Sequence, residues 1–533
     1  MKQPTPEHST HTNQDPNSHL RNPSSVFIFA LIISLFIGAR VWRLTASCLW
    51  FDEIFSVHAA GYEWCRLLSF VAADVIHPPL FYALLKVWIA IGGESLLWLR
   101  LFPALISIAV VVPFFLLCRE LNMRAAEIKL ALLLLAVNGY LIKYAQEVRM
   151  YSLLLFFSVC SLWLFVRFSK APARAKKHLL VLSAINLLLV YTHYYGWLVV
   201  AAEAALLLYS QRDKLLDFFI AAALLLLAFS PWAYAVTSLS EPGDLRQNIG
   251  WVARPRLLDI AQLFTLLSEP FYFRQSSNEP LFYRWSVFAG FLLIGLPLVV
   301  LLWQRFRQRD REPGPVDTVK SLLVFFLAPL ILAFLLSWLL PHSIWGTRHL
   351  IILAVPYSLL AAIAVHHLRS LWIKTTVLIL LGCWLFVGGS GFLLRPVPNY
   401  VWCVWEQLGR QVAQQSAAQG PVSIYAFEDL VAYHLWFVLR NEEGEQFKIG
   451  VLKGVPGLPE DPAYFLPRGF NDVTTMDYLR LEEEETWIAF RDLGWDEERP
   501  PLKNLSGMGY QIEQVLEASA GGQRAFLVKI SRK

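Results

Sequence analysis

The chain has 533 residues, 56% of them hydrophobic and 16% charged, with a formal net charge of +5 and a mean hydropathy of +0.47. That balance excludes an ordinary soluble globular domain and points to a polytopic membrane protein. The small positive excess sits as Lys and Arg in short segments between apolar runs, a pattern of membrane topology that argues against a nucleic-acid partner.

Residues 1–25 are polar and rich in Pro, Asn, Ser, Thr and His, and read as a disordered cytoplasmic tail. The apolar run that follows ends in Arg40-Val41-Trp42-Arg43 without a small-residue cleavage site, so a retained first span is expected. Further runs at 99–117, 128–143, 151–168, 178–195, 197–209, 216–237, 285–303, 321–340, 350–365 and 371–391 bring the expectation to about eleven spans by the length a bilayer demands. The run at 80–92 includes Lys86 and is too short to cross, so it is expected to lie at the interface.

With that parity one side collects Arg119, Arg124 and Lys129, the stretch 167–177, Arg212 with Lys214, the stretch 305–311, and Arg369 with Lys374. The positive-inside rule makes that side cytoplasmic. The opposite side receives a first extracytoplasmic loop at 44–98, the turn Gln146-Glu147-Val148-Arg149, His193-Tyr194-Tyr195, the stretch 239–284 and Arg348-His349. The chain thus divides into the tail, a transmembrane core at 26–393 and a soluble extracytoplasmic α/β domain at 394–533.

In that last segment β-prone runs at 422–427, 447–451, 486–491, 510–516 and 524–530 alternate with helical stretches at 402–418 and 429–439. The acidic run 482–485 reads as a solvated helix end, and no catalytic constellation stands out there. The six cysteines lack metal-ligand spacing. Cys48, Cys65 and Cys403 fall on the side where a disulfide is chemically permitted, yet read more simply as lone apolar thiols.

Chemistry concentrates in Trp50-Phe51-Asp52-Glu53, just beyond the first span, with His77-Pro78-Pro79-Leu80 downstream. Two carboxylates at a membrane edge cost desolvation energy that packing does not return. One can take a proton from a hydroxyl nucleophile while the other holds a cation or orients an arginine. On an extended segment the two would point to opposite faces, so one is expected to meet substrate and the other to be structural. A salt bridge from Asp52 to Arg40 or Arg43 is the plain alternative. Arg100, Arg149 and Arg348 suit a phosphate or pyrophosphate. Glu147 and Arg149 could equally pair with each other, and His193 and Tyr194 could be interface anchors.

The ordered set Leu49-Trp50-Phe51-Asp52-Glu53, His77-Pro78-Pro79-Leu80, Arg100-Leu101-Phe102-Pro103, Gln146-Glu147-Val148-Arg149-Met150-Tyr151, Thr192-His193-Tyr194-Tyr195 and Arg348-His349-Leu350 resembles the bacterial GT-C glycosyltransferases. These are the protein-mannosyltransferase-like enzymes of family 39, also called dolichyl-phosphate-mannose mannosyltransferase-like. The chain departs from their pattern at Ile54 and Val148, where Ala is commoner, and at His349, where Tyr is.

The resemblance implies a multi-pass cell-membrane enzyme with a cytoplasmic N-terminus. It would move a sugar, with inversion, from a polyprenyl-phosphate donor to a hydroxyl of a glycan, lipid or protein on the extracytoplasmic face. By the same matching, Asp52 is the general base and Glu53 its partner. His77, Arg100, Glu147, Arg149, Tyr151, His193, Tyr194 and Arg348 form the substrate-binding set. A divalent cation, Mg or Mn, stays open, with Asp52 and Glu53 as its ligands if one is used. The competing reading is a polytopic transporter or lipid flippase, which would place ionisable groups in broken helices at the midplane of two repeated halves.

Overall fold

The computed structural model describes residues 23–172, 176–241, 243–271, 284–307, 317–394, 400–416, 421–441, 446–458, 466–492 and 494–533. The expected tail lies outside them up to residue 22, as do parts of the basic stretches 167–177 and 305–311 and of the 239–284 stretch.

Eight helices among the described residues are long and apolar enough to cross a membrane: Pro23–Val41, Leu96–Glu120, Tyr151–Lys170, Arg212–Leu239, Ser286–Arg305, Thr347–His366, Thr318–Leu339 and Leu371–Leu394. Two of them, Tyr151–Lys170 and Thr347–His366, are buried almost all round and form the centre of the bundle. At the periphery, Leu371–Leu394 buries little beyond Leu381 and Trp384 and leaves Trp372, Phe386 and Leu394 uncovered. An apolar face of that size suits lipid.

The other three expected spans are shorter or broken. The run at 128–143 divides at Asn138 into Ala125–Val137 and Gly139–Ala145. Protein groups satisfy the backbone freed there: buried Arg40 donates to Leu135 O at 3.2 Å, the Phe271 N–H to Val137 O at 2.6 Å, and Asn138 Oδ1 accepts the Leu141 N–H at 2.9 Å. The runs at 178–195 and 197–209 form Lys176–Thr192 and Gly196–Ser210, of 17 and 15 residues. The break at Asn138 sets the turn 146–149 beside the start of Tyr151–Lys170.

The connection at 44–98 carries three helices, Phe51–Gly61 and Trp64–Asp74 besides the expected Leu80–Gly92. Asp52 and Glu53 therefore occupy a helical first turn rather than an extended segment. Glu53 makes that start favourable, because its Oε2 accepts the Trp50 N–H at 3.1 Å and both carboxylates meet the positive end of the helix dipole.

The C-terminal segment opens with the amphipathic helix Val401–Ser416 and continues into one six-stranded sheet. Its strands are β1 (Val422–Ala426), β2 (Phe447–Lys453), β3 (Val473–Asp477), β4 (Glu485–Asp492), β5 (Tyr510–Ala520) and β6 (Gln523–Arg532), in the order β3-β2-β1-β4-β6-β5. β1 to β4 run parallel, with Ile424 opposite Ile449 and Trp487, and the β5–β6 hairpin adds antiparallel through Trp487 opposite Lys529.

Three expectations are corrected. β3 has no counterpart among the expected strands; it is an edge strand whose Thr474 and Thr475 are exposed, so it lacks an apolar signal. The acidic run 482–485 is not a helix end but the approach to β4, where Glu483 accepts the Tyr425 hydroxyl. Finally, Cys48 and Cys403 are not lone thiols: they form a disulfide with a Cα–Cα distance of 5.3 Å.

Candidate active site

The adjacent carboxylates do diverge, because neighbours on a helix lie about 100° apart. Glu53 turns inward and is fully buried, at 0% exposure. Its carboxylate is nonetheless well served: Oε2 takes the Trp50 N–H and Arg100 Nη2, the latter at 3.1 Å, and Oε1 takes the Val148 N–H at 2.9 Å. Burying a carboxylate is tolerable when its lone pairs are met by donors of this kind.

Arg100 spends both terminal nitrogens on the same scaffold, donating to Leu44 O at 3.0 Å, Ser47 Oγ at 3.1 Å and Cys48 O at 2.8 Å, while its Nε has no partner among the described residues. It is a brace for the start of the Phe51–Gly61 helix, not a free phosphate ligand.

Asp52 faces the other way, with its side chain 22% exposed. Its partners are neither Arg40 nor Arg43. Arg348 Nη1 stands 3.2 Å and Arg149 Nη2 3.8 Å from Oδ2. Arg149 also donates through Nη1 to Asp52 O at 3.0 Å and Ser56 Oγ at 3.2 Å, and through Nη2 to His77 Nε2 at 3.3 Å. Burial works against the Arg149 charge, but neighbouring Tyr82 and Asp52 outweigh it and raise its pKa above the ordinary value.

His77 directs its one ring hydrogen, on Nδ1, to Asp74 Oδ2 at 3.3 Å. Burial, then the Arg149 charge, holds His77 well below the usual imidazole range, so it is neutral. Burial also pushes Asp74 up to about 6, with Arg149 and Arg468 pulling the other way.

Three histidines from distant segments meet here. The His77 and His193 rings are 5.7 Å apart, His193 and His349 4.5 Å, and Tyr195 packs on His349 at 5.0 Å. Several polar atoms in this neighbourhood are buried without a partner: Arg149 Nε, Tyr151 OH, His193 Nε2 and both ring nitrogens of His349. Unmet groups at this density cost stability unless a ligand satisfies them.

Two expected members turn away. Glu147 pairs with Lys143 at 2.8 Å, not with Arg149, although its second oxygen has no partner. The Tyr194 hydroxyl accepts Trp232 Nε1 at 3.3 Å on the flank of the bundle. Conversely Ser56, Asp74 and Tyr82 join the Arg149 network without having been singled out; the only hint in sequence is that Asp74 and Tyr82 flank the His-Pro-Pro segment. His349, noted beside Arg348 and as a departure from Tyr that alters a donor contact, is part of the histidine cluster.

A divalent cation does not fit these residues. Glu53 has both oxygens engaged, and Asp52 already faces two guanidinium groups, which leaves no oxygen cage for magnesium or manganese. The ring nitrogens of His77, His193 and His349 do come within 4.8 Å of one another. Yet His77 offers its lone pair to Arg149, and His193 Nδ1 accepts the Tyr195 N–H at 3.1 Å, which puts the hydrogen on Nε2. Two arginines beside neutral imidazoles suit an oxyanion far better.

The family described as dolichyl-phosphate-mannose-protein mannosyltransferase matches residues 88–210. Among curated proteins, none matches the chain in sequence at a significant level. Among solved structures, ArnT from Cupriavidus metallidurans bound to undecaprenyl phosphate shares 12% identity over 94% of this chain and 97% of its own, with a TM-score of 0.56. The same protein in the apo state shares 14% identity over 95% and 97%, at 0.55.

The archaeal oligosaccharyltransferase AglB from Archaeoglobus fulgidus, in complex with an inhibitory peptide and a dolichol-phosphate, shares 13% identity over 79% of this chain, at a TM-score of 0.45. The chain spans 64% of AglB's length. Residues 88–210 thus match the dolichyl-phosphate-mannose-protein mannosyltransferase model, and over nearly its whole length the chain shares the fold of ArnT.

Proposed function

We propose that the protein transfers a sugar from a polyprenyl-phosphate donor to an acceptor hydroxyl at the extracytoplasmic face of a cell membrane. The single observation that carries this reading is Asp52, partly exposed, beside Arg348 and Arg149. An acceptor hydroxyl oxygen attacks the anomeric carbon as its proton passes to the Asp52 carboxylate, and the bond from that carbon to the phosphate oxygen breaks on the opposite side, inverting the centre. The lipid phosphate departs with the bonding pair, its charge met by Arg348 and Arg149 in a site shielded from bulk water. His193, His349 and Tyr151 supply neutral hydrogen-bonding groups for the sugar.

Three things support the reading. The ArnT relative is bound to undecaprenyl phosphate, a lipid phosphate of the class proposed. A disulfide between Cys48 and Cys403 fits an oxidising compartment, which supports reading the Asp52 helix and the C-terminal domain as lying outside the cytoplasm. The basic segments at the other ends of the spans, Arg119 with Arg124 and Arg212 with Lys214, fit the cytoplasmic side and with it a cytoplasmic N-terminus.

The test is sugar transfer by the purified protein in detergent from a panel of polyprenyl-phosphate monosaccharides, with the anomeric configuration of the product read by NMR. Transfer with inverted configuration is expected. Retained configuration contradicts the single displacement, and movement of intact lipid between liposome leaflets without transfer favours a flippase.

A further inference from the structure

The helix that carries Asp52 is gripped by the C-terminal domain at both ends. Just ahead of it, Cys48 is bonded to Cys403 of the Val401–Ser416 helix. Further along, the His58 ring nitrogens meet Tyr433 OH and Tyr62 OH, each at 2.8 Å. The same ring packs on Trp436 at 4.5 Å and Phe470 at 4.9 Å, and Phe51 meets Tyr433 edge-on at 5.3 Å. Tyr433 and Trp436 belong to Asp429–Leu439, the helix that follows β1.

Helical geometry makes this contact consequential. Phe51 and His58, two turns apart, share the face that Tyr433 holds, whereas Asp52 and Ser56, one turn apart, share the face that Arg149 holds. Rotation of the helix about its axis is thus opposed from two directions. A second grip lies at the end of Trp64–Asp74: Arg468 donates to Ala73 O at 2.9 Å and pairs with Asp244 at 3.0 Å, beside the Asp74 that orients His77.

We infer that the C-terminal domain is a positioning element for the reaction, with Tyr433 acting through His58 and Phe51 to fix the aim of Asp52. Tyr433 reaches the Asp52 helix from the face away from Arg149 and acts through that helix alone. The inference rests on the role given to Asp52 above, and its leverage is large because a misplacement of about 1 Å can cost ~100-fold in rate.

The test uses full-length Tyr433→Ala and Tyr433→Phe in detergent, with amide hydrogen exchange over residues 51–61 and transfer kinetics measured on the same samples. Tyr433→Ala is expected to speed exchange over that helix by ~10-fold and to lower kcat by ~10-fold with donor KM within about twofold. Tyr433→Phe keeps the ring on Phe51 and Trp436 and is expected to recover most of both.

Unchanged exchange over 51–61 overturns the inference, and so does faster exchange spread evenly over the chain, which marks general loosening. Faster exchange beside an unchanged kcat overturns the positioning role. A wild-type protein that transfers nothing faults the glycosyltransferase reading, while the exchange measurement still decides whether Tyr433 holds the helix.

Discussion

Two buried polar clusters in this protein differ in one respect that separates structure from chemistry. Inside the helix bundle, Ser161 Oγ lies 2.7 Å from Asn186 Oδ1 and 2.6 Å from Glu203 Oε1, and Asn186 Nδ2 lies 2.7 Å from Glu203 Oε2. That ring is closed. Ser161 has one hydrogen for two oxygens, so the count balances with one proton on the Glu203 carboxyl donated to Ser161. Around Asp52 the network is open, with Arg149 Nε, Tyr151 OH, His193 Nε2 and His349 unmet. A closed cluster ties helices together, whereas an open one asks for a ligand.

The contrast can be broken by substitution. Apart from Asp52 itself, the largest effect is expected from Arg348→Ala, a loss of ~100-fold or more in kcat/KM, as removal of one group that meets transition-state charge typically gives. Arg348→Lys should recover part of that, because a point charge lacks the guanidinium fork; full activity in the Ala variant would remove Arg348 from the site.

Glu53→Gln should act on stability instead. It leaves Arg100 buried without its counter-charge, at a cost of about 3–5 kcal/mol, readable as a drop in thermal unfolding temperature. A variant as stable as wild type would refute the bracing role.

Stability should also fall as pH drops below neutrality. Burial first, then Arg440 and Arg66, lowers His58 from 6.5 to about 3, so the unfolded chain binds the proton first. Its contribution is complete above pH 6.5 and is lost progressively as pH falls toward 3. Asp74, raised to about 6, works in the opposite direction between pH 6 and 3.8 and offsets part of the loss. His58→Gln, which does not titrate, should flatten the slope of unfolding temperature between pH 7 and pH 5; an unaltered slope would exclude His58 as its source.

The smallest effects are expected from a chelator, which should leave transfer unchanged because the donor set does not fit a cation, and from Glu203→Gln, whose amide can supply the hydrogen the closed ring needs. Loss of transfer on chelation would contradict the donor reading. Loss of transfer in Glu203→Gln would move the bundle cluster into the chemistry.

Much of this was legible in the chain itself. Long apolar runs mark the membrane helices, and an acidic pair after the first span marks the start of the site. What the sequence left hidden is mostly tertiary. For Arg100 the sequence leaves two readings open, pairing with the acid or meeting the phosphate, and only its contact with Glu53, 47 residues away, decides for the first. A disulfide across 355 residues leaves no trace in cysteine spacing. The Phe51–Gly61 helix carries no clean amphipathic stripe, because protein surrounds it on nearly every side and all its residues from Glu53 to Ala60 are buried. The break at Asn138 is equally silent, since distant Phe271 and Arg40 make it tolerable by donating to the Val137 and Leu135 carbonyls.

The central claim, that Asp52 is the group that takes the acceptor proton, is tested most directly by Asp52→Asn with donor binding and single-turnover transfer measured on the same folded protein. The account predicts a fall in the transfer rate of about 10²- to 10⁴-fold, with donor affinity within a few-fold of wild type, because Arg348 and Arg149 remain. Transfer at the wild-type rate, or a loss explained wholly by weaker donor binding, would contradict it.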